Sequence, residues 1–376
     1  MSLKHEHFEP AVRMVKRDSI SRGKAWIIRM LAFLGALLTG TLLILALGHN
    51  PLLVYRDMMV GSIGSSTVLI ETIKITVPLL ITGMAIALSF KMRFWNIGAE
   101  GQILVGAIAA TYVAVFHYQD MPRPVLLVVM ALAAMVAGAL WGLIPALFKA
   151  KWGTNETLFT LMLNYVAIEI IKYLMNGPWK DPKQRGFPKI AMYDDVARLP
   201  KVFDIHIGWI IALVLVIVVY IYITRTKQGY EIAVVGESGS TARYAGMNVG
   251  KIFIRTMCIS GALCGLVGYL QSAGAHFTLT TNTAGGVGFT AITVAWLAKL
   301  NPIVMIPVAF FIAILQKGSG KIQTTFKIPA SASEVLTGIV LFFMLGCEFF
   351  INYKLIFRRQ MLHKPACSDR KERANG

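Results

Sequence analysis

Of 376 residues, 56% are hydrophobic and only 15% are charged, and the mean hydropathy is +0.63. Soluble domains carry about a quarter charged residues, so a soluble enzyme and a disordered chain are both excluded. Lysine and arginine number 37 against 19 acidic residues, and in so apolar a chain the net charge of +18 points to basic cytoplasmic membrane loops, not to nucleic acid.

In chain order, the first apolar run covers 26–48. It is longer than the core of a signal peptide, and no small-residue cleavage site precedes His49-Asn50-Pro51, so it reads as an anchor. Further apolar segments lie at 66–90, 96–116, 124–148, 155–175, 207–224, 253–273, 286–299, 302–316 and 334–353. Asn301-Pro302 separates two pieces too short for comfortable spans, which predicts either one broken helix or a re-entrant pair. The fold class is thus an all-α polytopic membrane protein with about ten transmembrane helices, some short or broken. With the amino terminus inside, 24 of the 37 basic residues fall on the cytoplasmic side, and an even number of spans returns the carboxyl terminus there too.

The predicted organisation is a cytoplasmic basic tail (1–25), a transmembrane permease domain (26–353) and a second basic tail (354–376). An external loop occupies 176–206 and a cytoplasmic loop 225–252, neither long enough for a catalytic domain. Further features argue against enzyme chemistry. His49, His117, His206 and His276 are scattered, no HExxH or GxSxG occurs, and Cys258, Cys264, Cys347 and Cys367 form no CxxC pair. Gly318-Ser319-Gly320-Lys321 is followed by Ile322 and lacks the upstream glycine of a phosphate loop.

Polar groups at membrane depth are costly and normally face a partner, a cavity or water. WNIGAEGQILVG at 95–106 sets Asn96, Glu100 and Gln102 among three glycines; Glu100 serves either a solute path or a structural role, as a cap or in a charge pair with Lys91 or Arg93. Thr160 and Asn164 are four residues apart and share a helix face, suited either to a polar solute or to hydrogen bonds between helices. Glu71/Lys74 and Glu169/Lys172 have the i,i+3 spacing of neutralising pairs. Gly261, Gly265 and Gly268 have the spacing of close helix packing. In the cytoplasmic loop, Ser238 or Ser240 is placed to cap a short helix from about Thr241, with Gly246 as its stop.

PLLITGMAIALSFKMRFWNIGAEGQILVG (78–106), TNETLFTLMLNYVA (154–167) and GYEIAVVGESGSTARYAGMNVGK (229–251) carry a resemblance, over nearly the whole chain, to permease subunits of bacterial ABC importers of the ribose/simple-sugar and nucleoside group. NIGAEGQ is similar to the nucleoside branch, which is linked to binding proteins of the basic-membrane-protein type. The resemblance implies a subunit of the bacterial inner membrane that translocates a nucleoside by alternating access; the alternatives are a simple sugar or, further off, an ion-coupled secondary transporter. It implies a coupling helix at Thr241, Ala242, Arg243, Tyr244, Ala245 and Gly246, although Ser238-Gly239-Ser240 stands where family members commonly have Asn-Pro. The implied partners are ABC ATPase subunits that bind the ATP and Mg, an extracytoplasmic solute-binding protein, and a second, shorter permease completing a heterodimer. No cofactor, metal or catalytic residue is expected in this chain.

Overall fold

Asn50 and Pro51 begin a helix that hydropathy alone does not mark, because it is too short to span. The computed structural model describes residues 12–16, 21–182, 186 and 188–357. Nine of its described helices are long and apolar enough to cross a bilayer, and a tenth is a shorter apolar helix. The ten helices match the ten predicted segments in order. The calls for the two tails fall largely outside the described residues.

Two compact units emerge, residues 1–48 with 338–376, and residues 49–337. In the first, helix α1 (Arg22–Ala46) begins at Ser21, whose hydroxyl accepts from the Lys24 N–H. The carboxyl-terminal half of a late helix (Ala330–Asn352) belongs to the same unit, and Arg29 pairs with Glu348 at 2.8 Å. Strand β1 (Val12–Lys16) runs antiparallel to a strand at Tyr353–Phe357, so the two tails meet in a small sheet.

In the second unit, helix α2 (Pro51–Ile63) is about 20 Å long at 1.5 Å per residue. Asn50 caps it by accepting the Leu52 N–H at 3.0 Å, with proline at the first turn. Helices α3 (Ser66–Lys91), α4 (Ala99–Phe116), α5 (Arg123–Trp152) and α6 (Glu156–Asn176) follow, joined by short turns. Strands β2 (Lys201–Val202) and β3 (Ile205–His206) form a hairpin in the 176–206 loop. Beyond it come α7 (Gly208–Arg225), α8 (Lys227–Glu237), α9 (Gly239–Tyr244) and α10 (Val249–Gln271).

Glycine spacing on α10 sets the centre of this unit. Side chains at Gly261 and Gly265 would collide with the backbone of Gly138 and Ala134 on α5, and one at Gly268 with that of Ile103 on α4. Removing Cβ lets the backbones of three helices touch, as the sequence spacing predicts.

The segment 272–301 departs furthest from regular spans. After α10 a π-helical turn (Ser272–His276) ends at Phe277, which has φ 56°. A non-helical run then leads to α11 (Val287–Leu297), and left-handed Lys299 and Leu300 reverse the chain into α12 (Pro302–Phe326). The predicted pair therefore resolves into an 11-residue half-helix and a full span. The segment 302–316 was drawn too short. The helix runs on to Phe326, with Lys317 and Lys321 inside it, where α2 and α3 pack against α12. The late helix is α13 (Ala330–Asn352), and its strand partner to β1 is β4 (Tyr353–Phe357).

Candidate functional site

The turn between α3 and α4 is built by its own polar residues and by α6. Asn96 accepts the Gly98 N–H at 3.0 Å and donates to Gln102 at 3.3 Å. From α6, Thr160 accepts the Ile97 N–H at 3.2 Å, while Asn164 accepts the Gly101 N–H at 2.8 Å and donates to the Ile97 carbonyl at 3.0 Å. Backbone groups that have left the helical pattern need such partners where water is absent. The structure thus brings Asn96, Gln102, Thr160 and Asn164 together, all buried.

Glu100 joins this cluster to α11. It pairs with neither Lys91 nor Arg93. Its carboxylate accepts the N–H of Gly286 at 2.8 Å and of Gly288 at 2.7 Å, capping α11 from another helix. A carboxylate at a helix amino terminus meets both the free N–H groups and the positive end of the dipole. Gly286 is left-handed at φ 76°, and a Cβ at Gly288 would sit 2.8 Å from the Glu100 carboxylate, so both positions require glycine. Preceding this cap, the Thr280 N–H is taken by the Thr283 hydroxyl at 2.8 Å. The other end of α11 is held by rings, with Trp296 stacked on Trp95 at 5.8 Å and touching Phe90 at 5.8 Å.

A groove with both apolar walls (Val60, Val68, Ile75) and polar side chains opens between α2, α3 and α12, at the end opposite the Trp95–Trp296 contact. Its cavity is about 560 Å³ and is lined by Gly61, Ser65, Gln316, Lys317, Lys321 and Thr324 among others. Lys317 forms an ion pair with Glu71 of α3, so the close partner of Glu71 comes from another helix while the charge of Lys74 acts on it from farther off, whereas Glu169 and Lys172 pair at 2.7 Å as their spacing predicts. Gln316 donates to Thr290 of α11 at 3.4 Å. Sequence reasoning missed Gln316, Lys317 and Thr290. The signal was the pair of lysines in a helix that otherwise reads as apolar.

At the same end as Trp95, α8 and α9 form a surface platform. The loop was read with one short helix, whereas α8 precedes it, capped by Thr226 accepting the Gly229 N–H at 3.1 Å. Ser238 caps α9 by accepting the Thr241 N–H at 3.2 Å, so the helix starts at Gly239, two residues before the expected Thr241. Gly246 ends it with φ 77°. Ala242 is fully buried in a cluster with Met92, Phe94, Ile232 and Val249, which fixes α9 to the bundle. Thr241, Arg243, Ala245 and Gly246 are exposed, and Tyr244 is 93% exposed.

At the opposite end, described residues of the 176–206 loop pack on the bundle. The Tyr193 N–H donates to the Phe277 carbonyl at 2.8 Å, and its buried hydroxyl shares a hydrogen bond with Thr111 at 2.5 Å. Burial pushes that phenol up to about 12 against the lowering effect of its bonds to Ser272 and Thr111. His206 is buried and accepts the Gly208 N–H through Nδ1 at 3.2 Å. Burial, with the charge of Lys74 adding to it, holds its pKa down at about 4.

Residues 68–345 match the family model described as the branched-chain amino acid transport system permease component. A glucose ABC transporter permease protein of Haloferax volcanii is 35% identical over 90% of this chain and 92% of its own length. A nucleoside ABC transporter permease protein of Lactococcus lactis is 28% identical over 93% of this chain and 98% of its own. A guanosine ABC transporter permease protein of Bacillus subtilis is 28% identical over 85% of this chain and 92% of its own. No solved structure matches. With apolar spans, a broken helix pinned by a buried carboxylate, and a family match over most of its length, the chain belongs to this permease family and is a multi-pass membrane subunit of ATP-binding-cassette transporters.

Proposed function

We propose that this chain is the longer of two permease subunits of an importer that carries a nucleoside across the cytoplasmic membrane by alternating access, with both termini in the cytoplasm. Two relatives named for nucleoside or guanosine transport, each aligned over 85% or more of the chain, support that cargo. The observation that carries the role in an importer is α9, a capped surface helix anchored by Ala242 and presenting Arg243 and Tyr244 outward. ATP and Mg are bound by separate ATPase subunits, which push on residues 241–246. An extracytoplasmic binding protein delivers the cargo, and a shorter permease supplies the other half of the pore. Asn96, Glu100, Gln102, Thr160 and Asn164 act on the translocation path by setting the position of α11.

A second reading, a simple sugar as cargo, is favoured by the 35% identity to the glucose permease. Uptake of radiolabelled guanosine and of D-glucose is the test, in cells expressing this chain with its neighbouring ATPase, second permease and binding protein. Guanosine accumulation that stops when the ATPase is inactivated is the expected result. Glucose accumulation alone transfers the assignment to sugar. Accumulation that persists without ATP hydrolysis overturns the importer reading in favour of ion coupling.

A further inference from the structure

We propose that the groove between α2, α3 and α12 is a cargo subsite that recognises adjacent ring hydroxyls, those of a ribose or of a hexose. This rests on the reading of the cargo just given and adds residues to it. Its first support is charge. Glu71 is the sixth residue of α3 and Lys317 lies fifteen residues beyond Pro302, the first residue of α12, so both stand within helices long and apolar enough to cross the membrane. They reach each other between helices and remain partly exposed, at 48% and 30% of the side chain. Charges so placed would be costly against acyl chains, so this face of the groove is wetted. Lys321, one turn further along α12, extends the same polar face.

The second support is shape. Side-chain atoms at Gly61 would collide with the stem of Lys321, and at Gly318 with Met58. Glycine at these positions brings α2 onto α12 and lays the lysine stems along the groove. The cavity of about 560 Å³ lies within the range of about 300–1,000 Å³ typical of small-molecule sites.

The third support is the kind of groups present. A carboxylate accepts from two neighbouring hydroxyls, and an ammonium and a carboxamide donate to their oxygens. Lys317 and Gln316 line the groove with the Ser65 and Thr324 hydroxyls, and Glu71, held by Lys317, stands beside that lining as the carboxylate. Glu71 disfavours a phosphate, so the set suits an uncharged polyhydroxyl ring better than an anion. Gln316 also donates to Thr290 on α11, the half-helix whose amino terminus Glu100 caps. Cargo that draws Gln316 into the groove therefore competes directly with a contact that holds α11.

The test uses the full importer in proteoliposomes and measures initial uptake of guanosine and of 2′,3′-dideoxyguanosine, with D-glucose and 2-deoxy-D-glucose as the sugar arm. The binding protein is the same throughout, so a change in the ratio between wild type and variant reports the permease. Glu71→Gln and Lys317→Met are expected to slow the hydroxylated probe about tenfold and the deoxy probe less than about twofold. The exchange Glu71→Lys with Lys317→Glu is expected to restore assembly without restoring the ratio. Gln316→Ala, which leaves the ion pair in place, is expected to shrink the ratio by itself and covers the case in which the charge variants fail to assemble.

Parallel loss of both probes in Gln316→Ala, full rescue of uptake by the exchange, or competition by guanosine 5′-monophosphate that Lys317→Met abolishes would each overturn the subsite. If the wild-type importer takes up guanosine or glucose and the variants keep its ratio, only the subsite is lost. If it takes up neither, the cargo reading falls and the subsite with it.

Discussion

Gly288 donates its N–H to Glu100 at 2.7 Å, joining positions 188 residues apart in the chain. With the matching bond from Gly286, one carboxylate takes two free N–H groups of α11 and places its charge at the positive end of that helix. A half-helix of 11 residues has little stability of its own, so its position depends on what holds its ends.

Glu100→Gln keeps the size of the side chain but leaves one acceptor oxygen and no charge. Hydrogen bonds to charged groups contribute about 1.5–3 kcal/mol, so loss of one is expected to raise local opening of 280–297 by roughly tenfold or more. Hydrogen–deuterium exchange of peptides from that segment measures it directly. Uptake should fall while the assembled complex persists. Unchanged exchange and unchanged uptake would show that other contacts, such as those of Trp296 and Thr290, fix α11 without the carboxylate.

Gly265 is expected to tolerate no side chain larger than hydrogen, since any Cβ there meets the Ala134 carbonyl. Gly265→Val should lower the thermal stability of the detergent-solubilised complex sharply, in the range of about 1–3 kcal/mol or more for overpacking. Gly346→Ala, where nothing lies within 4 Å, is the control and should be neutral. Equal melting temperatures for the two variants would contradict the backbone contact between α10 and α5.

Hydropathy made most of the spans legible, because about 20 apolar residues in a row have few other uses. The glycine spacing on α10 was legible for a similar reason, as three glycines on one helix serve close packing better than anything else. The helix α2 was not, although Asn50-Pro51 is a start signal, because 13 residues lie below any spanning threshold. The partners of Glu100 and Glu71 were invisible for a deeper reason. Spacing rules see i,i+3 and i,i+4 neighbours, and both carboxylates find partners more than 180 residues away. Asn96, Gln102, Thr160 and Asn164 were read as interior from their cost in lipid, and they are, but the backbone groups they serve follow only from the turn they build.

His206 makes the 176–206 loop sensitive to acid. Its pKa in the folded chain, about 4, lies below the ordinary value near 6.5, so the folded loop disfavours the proton. The stabilisation is fully present above about pH 6.5 and is lost as pH falls from there towards 4. Opening of residues 193–208, followed by hydrogen–deuterium exchange and corrected for the intrinsic rate, should approach a tenfold rise per pH unit near the middle of that window. His206→Gln should flatten the profile. A profile that stays steep in that variant assigns the acid sensitivity to another group.

The helix α9 is the place where force is expected to reach the bundle. Ala242 is wholly buried beside Met92 and Phe94, at the start of the turn that carries Asn96 and Glu100, so a push on α9 bears directly on the segment that positions α11. Tyr244 and Arg243 project away from the bundle, and tyrosine and arginine are the types that most often dominate interface energies. Arg243→Glu reverses a charge at this surface while leaving Ala242 and the Ser238 cap intact. The variant should bind the ATPase more weakly and lose most stimulation of ATP hydrolysis by loaded binding protein, while cargo binding to that protein is unchanged. Tyr244→Ala should weaken association by about 2 kcal/mol or more if the ring is a central contact. Measurement of ATPase recruitment and uptake in the double variant decides the matter. Wild-type levels of both would make α9 a lipid-surface turn, and the route from ATP hydrolysis to α11 would have to start elsewhere, with α8 as the neighbouring surface helix.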